Sequence, residues 1–197
     1  MSQDKSLHQG FSSKFIRKYM RLAREVATEG NPCYSRQIGA VIINEDHEIL
    51  GVGYNGPPAG TPHTDDKEYL EKFFWPQLTD AERKKTNTST AISFADAYNK
   101  CGQCPRRLVG AKSGERTSLC SCQHAERNAI SRATRSLKGS TIFIWGCSVC
   151  IGCAGAIINS RIKRVVYTGE EIYEDGAFWL LNQAGIECVG YDMEQFE

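Results

Sequence analysis

Residues 141–167, TIFIWGCSVCIGCAGAIINSRIKRVVY, read as strand, helix, strand. TIFIW (residues 141–145) and RVVY (164–167) are short β-branched and aromatic runs, and residues 150–160 between them suit a helix that carries the chain back along a sheet. Two strands joined in this way lie parallel, with a right-handed crossover. The same alternation continues outward. Residues 124–136 read as a helix before the first of these strands, residues 175–183 as a helix after the second, and IECVGY (186–191) as a last strand. The second half of the chain therefore predicts a largely parallel sheet covered by helices.

Further out, the periodicity changes. Over residues 12–29 the apolar side chains Phe15, Tyr19, Leu22, Ala23 and Val26 recur at three- and four-residue steps, which predicts a helix with one buried stripe, Ser12 or Ser13 as its cap and Gly30 as its stop. IGAVIIN (38–44) and EILGVGY (48–54), separated by Glu45, Asp46 and His47, predict two antiparallel strands. Residues 56–119 are different: turn-rich NGPPAGTPH, then a charged stretch with scattered aromatics, then KCGQCPRRLVGAKSGERTSLC. So long a polar excursion within a domain points to function or assembly.

At 197 residues the chain suits one well-buried core, so a single α/β domain over 1–197 is expected. A formal net charge of +1, from 24 Lys plus Arg against 23 Asp plus Glu, supplies no field to gather a polyanion and disfavours nucleic acid as the main partner. The N-terminus has no apolar core of signal-peptide length, and no run approaches the roughly 18 apolar residues of a membrane span, so a soluble, cytoplasmic protein is expected, or one of the host cytoplasm if the source is viral. Nine cysteines, an odd count, suggest metal ligands or catalytic thiols before disulfides in a reducing compartment.

The cysteine spacing is informative. His124 opens one predicted helix, and Cys150 and Cys153 open the next, both following segments that a crossover fold brings to one sheet edge. Cys150 and Cys153 are three apart, so both sulfurs lie on one face of a first helical turn, whose amide dipoles favour thiolates. Three protein ligands suit a catalytic zinc, since a structural site uses four and leaves no place for water. Glu126, two residues past His124, is placed to move protons without binding the metal. By itself a His-x-Glu at a helix start is mostly polar surface; the cysteine pair on the next strand–helix unit reverses that balance. The pattern resembles the zinc nucleobase deaminase signature.

On these residues the sequence resembles the cytidine and deoxycytidylate deaminase superfamily. The matching pieces are RQIGAVIINEDHEILGVGYNGPPAG, HAERNAI and CSVCIGCAGAIINSRIKRVVY, followed by an aromatic in EEIYEDGA; GYNGPPAG narrows the resemblance to the deoxycytidylate branch. It implies a three-layer α/β/α fold with a five-stranded mixed sheet, and zinc-dependent hydrolysis of dCMP to dUMP and ammonia, supplying thymidylate synthesis. It also implies a homo-oligomer, a hexamer, activated by dCTP and inhibited by dTTP. The resemblance carries His124, Cys150 and Cys153 as zinc ligands and Glu126 as the acid–base residue. It places Asn55 on the sugar, Tyr173 near the substrate end of the site and the GYNG loop, with Gly56, near the effector site. Val149 stands where the superfamily has proline before the first cysteine; valine can hold the same backbone angle, but at a greater entropic cost.

Other residues admit two readings each. Cys101 and Cys104, with Cys120 and Cys122, read equally as a second, structural zinc clip or as reduced thiols. Cys147 is read as a small buried residue before a spare ligand, and His63 as a solvated loop histidine before a ligand. Arg106, Arg107, Lys112 and Arg116 suit either phosphate contacts or solvated surface. Arg36, ahead of the first strand, is a further candidate phosphate contact. Phe73, Phe74 and Trp75 are assigned to packing. Two other classes of function stay open: a polynucleotide base deaminase, which would need a basic channel, and a non-catalytic zinc-bearing interaction module, which would have no use for Glu126.

Overall fold

The computed structural model describes residues 11–29, 31–33, 35–101, 104–112, 114–169 and 175–192. In chain order the elements are α1 (Ser13–Thr28), β1 (Gly39–Ile43), β2 (Ile49–Tyr54), α2 (Lys67–Tyr69), α3 (Asp80–Lys85), α4 (Ala91–Cys101), α5 (Pro105–Leu108), α6 (Ala125–Ser131), β3 (Thr141–Trp145), α7 (Ile151–Asn159), β4 (Arg164–Thr168), α8 (Asp175–Gln183) and β5 (Glu187–Tyr191). The chain divides into two compact units, one of residues 1–31, 37–55 and 124–197, the other of Pro32–Arg36 and Gly56–Gln123.

The first unit is built on a five-stranded sheet of order β2-β1-β3-β4-β5. β1 runs antiparallel to β2 and β3, and β3, β4 and β5 are mutually parallel, as the strand–helix–strand reading predicts. Strand alternation sorts the side chains into two layers. Val41, Ile43, Phe143 and Val166 pack with Ile16, Tyr19, Met20 and Ala23 of α1. Ala40, Ile42, Ile142, Ile144 and Val165 pack on the other face with Ala125 and Ala129 of α6, Ala154 and Ile157 of α7, and Ala177 and Leu181 of α8. This is the three-layer α/β/α arrangement.

Two boundaries differ from the sequence reading. The stripe of α1 centres on Ile16, Tyr19, Met20, Ala23 and Ala27, with Phe15, Leu22 and Val26 only partly buried at its flank, because the helix meets the sheet over a face wider than one heptad seam. Ser12 caps it, its side chain accepting from the Phe15 amide; the predicted stop, Gly30, lies outside the described residues. α6 ends at Ser131, well short of residue 136. There the Ser131 hydroxyl donates back to the Asn128 carbonyl, and the following Thr134 and Ser136 are poor helix formers whose hydroxyls compete for the backbone.

The second unit holds the whole stretch that reads as a polar excursion. It has an apolar cluster of its own: Tyr69, Leu70, Phe74, Leu78, Phe94, Ala95, Tyr98, Val109 and Leu119. Of the aromatic trio, Phe74 is fully buried, Trp75 packs at the cluster's edge and Phe73 stays 44% exposed. Its longer segment begins and ends at one place, where Gly56 and Gln123 exchange both backbone hydrogen bonds. Three of the four basic residues singled out above are committed inside it. Arg106 donates to the carbonyls of Glu115 and Lys112, Arg107 to that of Ser35, and Arg116 to both Glu82 carboxylate oxygens and the Gln77 carbonyl.

Glu82 has two tasks: it closes a capping box with Thr79 at the start of α3 and pairs with Arg116. Burial alone would raise its carboxyl, but the Thr79 amide and hydroxyl and the Arg116 guanidinium outweigh that and hold it below the ordinary value of 4.5. A depressed carboxylate contributes stability that is present above its unfolded pKa and lost as pH falls through its folded one. Glu82→Gln preserves the cap's acceptor and removes the ion pair. Urea unfolding should therefore show a loss of about 0.5–1 kcal/mol at pH 7, fading as the pH drops below about 4.5; a loss independent of pH would contradict the ion-pair account.

Candidate metal and catalytic site

The candidate site lies wholly in the first unit, at the starts of α6 and α7. His124 and Cys150 occupy the capping positions of these helices, in extended conformation, and neither side chain caps its own helix. They point at each other instead. His124 Nδ1 stands 3.3 Å from Cys150 Sγ and 3.5 Å from Cys153 Sγ, and among the described residues these three ligand atoms all lie within 4.8 Å of one another. A tetrahedral zinc with Zn–N of about 2.0–2.1 Å and Zn–S of about 2.3 Å spaces nitrogen and sulfur by about 3.5 Å. The donor set and its spacing both fit that ion.

With His124 turned toward the thiols, α6 needs another cap, and it comes from β2. The Asn55 side chain, buried at the strand's exit, accepts the Ala125 amide through Oδ1 at 2.9 Å. One turn on, Asn128 Nδ2 donates to the Tyr54 carbonyl at 2.8 Å. The GYN sequence thus clamps α6 at its first turn and fixes where His124 and Glu126 stand. Gly51 and Gly53, on the same face of β2, make the approach possible, since a Cβ on Gly53 would lie 2.2 Å from the Ala125 carbonyl oxygen and 2.3 Å from the Ala129 nitrogen.

At the other helix, the Cys153 and Ala154 amides both reach the Cys150 carbonyl, closing the first turn of α7 and setting both sulfurs on one face. The preceding loop is pinned where the Gly146 amide donates to the buried Thr168 hydroxyl. Val149 is fully buried in the core, and Cys147 packs against it only half-buried, less enclosed than the buried small residue expected. Valine at the position before Cys150 thus contributes apolar packing.

The site's electrostatics suit metal binding and proton transfer. Hydrogen bonds from Cys153 and His124 pull the Cys150 thiol down to about 3, against a smaller opposing effect of burial, while Cys153 is pushed up by its bond to Cys150. The His124 ring is raised by the Cys150 sulfur. Glu126 is 2% exposed, and burial raises its carboxyl above the ordinary carboxylate range. A carboxyl raised in this way holds its proton more readily than an exposed one, which suits a group that donates a proton and takes one back.

Of the other predicted site residues, Gly56 sits in its bridge with Gln123 and Arg36 is exposed, both in the second unit. Tyr173 and the Cys101 side chain lie outside the described residues. His63 is solvated, its side chain 54% exposed and 3.5 Å from Asp65. Sequence reading missed Asn128, an ordinary polar residue in a helix.

Three gathered donors with a buried carboxyl beside them, on a mixed five-stranded sheet, define an α/β/α metal-site domain. The chain belongs to the cytidine and deoxycytidylate deaminase family, whose zinc-binding region matches residues 13–169. The deoxycytidylate deaminase of enterobacteria phage T2 is 30% identical over 169 residues, covering 82% of this chain and 85% of the relative. That of Saccharomyces cerevisiae is 29% identical over 170 residues, covering 85% of this chain; the chain spans 42% of that relative's length. The structure of the dCMP deaminase from the cyanophage S-TIM5, in complex with dCMP and dUMP, shares the fold with a TM-score of 0.56 at 21% identity, covering 92% of this chain and 99% of that one. Among the described residues, no helix is long and apolar enough to cross a membrane.

Proposed function

We propose that this protein, acting as one deaminase domain over 1–197, converts dCMP and water to dUMP and ammonia, with zinc held by His124, Cys150 and Cys153. The observation that carries the proposal is Glu126, fully enclosed and raised toward its neutral form beside three gathered metal donors. A structural metal site has no need of such a group. The names of the relatives support dCMP as the substrate.

When bound, the ion acidifies a water to a pKa of about 7 and so makes a nucleophile available near neutral pH. The rest falls to the chain. Glu126 passes the first proton of that water to the ring nitrogen beside the amino-bearing carbon, which opens the carbon to attack. A carbon–oxygen bond forms. Glu126 then takes the proton of the new hydroxyl and hands it to the amino group; the carbon–nitrogen bond breaks, ammonia leaves and the carboxyl is restored. Asn55, which holds the first turn of α6, also offers its amide to the sugar in this reading.

The finer parts of the proposal are a cytoplasmic homohexamer, activation by dCTP and inhibition by dTTP near Gly56. Assembly is supported by apolar surface on α7 and α8, where Ile151 and Trp179 are 52% and 61% exposed. The test is ammonia release from purified, zinc-replete protein offered dCMP, CMP, dCTP, deoxycytidine and single-stranded DNA in parallel, each with and without dCTP or dTTP as effector. Turnover confined to dCMP is expected. Turnover of DNA alone would install the polynucleotide reading, and none at all the non-catalytic one. Cys150→Ala should lose both the catalytic zinc, counted by elemental analysis, and turnover; a variant that kept its full zinc complement would remove Cys150 from the ligand set.

A further inference from the structure

The parallel ladder between β3 and β4 ends at the Ile144–Tyr167 pair, although both strands run one residue further. Beyond that point a side chain joins them. The hydroxyl of Thr168, the last residue of β4, accepts the Gly146 amide at 2.9 Å, one residue past the end of β3. Thr168 is fully buried. A threonine in a strand is ordinarily explained by its β-branched shape, which valine supplies equally well. Here the oxygen has a backbone partner of its own, 22 positions away in sequence.

Gly146 stands four residues ahead of Cys150, and the loop between them is enclosed on its other sides. Gly146 has a φ of +96°, and a Cβ there would lie 2.7 Å from the Gln37 carbonyl oxygen, so the backbone turns tightly against the segment before β1. Gly169, with a φ of +124°, underlies the next residues: a Cβ on it would meet Cys147 Cα at 3.5 Å and the Ser148 nitrogen at 3.8 Å. Ser148 and Val149 are buried. Van der Waals contacts of this kind limit how close the loop can come but tolerate sliding. A hydrogen bond also fixes direction.

We propose that Thr168 is a positioning residue for the metal site: through the Gly146 amide its hydroxyl sets where the 146–149 loop enters α7, and so where the Cys150 sulfur stands relative to His124. The inference rests on the zinc reading of His124, Cys150 and Cys153 and deepens it. Cys150 holds the cap position of α7 in extended conformation, so the incoming loop governs its placement, whereas Cys153 is tied into the first turn by its amide. A displaced loop therefore moves one donor more than the other and alters the spacing of the three. Thr168 acts through the loop and is not itself a ligand.

Two substitutions separate the oxygen from the shape. Thr168→Val keeps the shape and removes the acceptor; Thr168→Ser keeps the hydroxyl and removes a methyl group. Zinc affinity of the Cys150-dependent site, measured by chelator competition with Cys150→Ala as the blank, should fall about tenfold in Thr168→Val, the lower end of what outer-shell partners contribute. In Thr168→Ser it should stay near the wild-type value. The ligand-field bands of the cobalt(II)-loaded protein should shift in Thr168→Val and coincide with wild type in Thr168→Ser. A threonine that served packing alone would give the opposite order, because serine leaves a buried void and valine does not. That order, or wild-type affinity and cobalt bands in Thr168→Val, would overturn the role of Thr168 while leaving the metal site standing. A wild type with no Cys150-dependent zinc would overturn the site and this inference with it. Should Thr168→Val fail to fold, Thr168→Ala against Thr168→Ser makes the same comparison, since those two differ by the hydroxyl alone; equal affinities there would also overturn the role.

Discussion

Glu126→Gln is expected to keep its catalytic zinc and its thermal midpoint while losing about 10²–10⁴-fold or more in kcat, the range over which positioned proton transfer contributes. Size and shape are conserved, and the position is 2% exposed. Because burial holds the native carboxyl toward its neutral form, a neutral amide replaces it at little cost to folding. The amide can still donate a hydrogen bond to the ring nitrogen. It cannot carry a proton from water to that nitrogen, nor a second one to the leaving amino group. Steady-state kinetics with dCMP and elemental analysis on the same preparation separate the outcomes. Loss of metal together with rate would make Glu126 part of the metal shell, and full activity would remove it from the reaction.

Gly53→Ala is expected to damage both the fold and the site through a single methyl group. Its Cβ would lie 2.2 Å from the Ala125 carbonyl oxygen and 2.3 Å from the Ala129 nitrogen, and both are backbone atoms that cannot swing aside. Relief requires α6 to move off β2. That strains the Asn55–Ala125 and Asn128–Tyr54 hydrogen bonds and shifts His124 and Glu126 with the helix. Overpacking against backbone costs about 3 kcal/mol or more, which in a chain of this length lowers the thermal midpoint by roughly 6–12 °C. Gly155→Ala is the control, since a Cβ there meets nothing within 4 Å and the residue sits within α7. Alanine at a helix-interior glycine should stabilise by about 0.5–1 kcal/mol. Equal effects at the two positions, measured by calorimetry, would refute the close-approach account of β2 and α6.

Most of the first unit could be read without coordinates because its signals are local. The strands at 39–43, 49–54, 141–145, 164–168 and 187–191 each show in a run of a few residues. Their parallel or antiparallel relation follows from whether a helix or a three-residue turn separates them. Cys150 and Cys153 share a face because three residues make nearly one helical turn, a fact contained within a single segment. The spacing from His124 and the resemblance supplied the role expected of Glu126, and the structure added its burial.

The second unit resisted reading because its helices are short and bury few residues each, so no window holds a clear period. Its core forms only where Tyr69, Phe74, Phe94 and Leu119 meet across 50 residues of chain. The sequence by itself determined the antiparallel pair, the parallel second half of the sheet and the identity of the three gathered donors. Only the tertiary structure decided that Asn55 caps the helix bearing His124 and that Gly53 must lack a side chain. Each of these depends on which surfaces meet across long sequence separations, and periodicity within one segment cannot encode its distant partner.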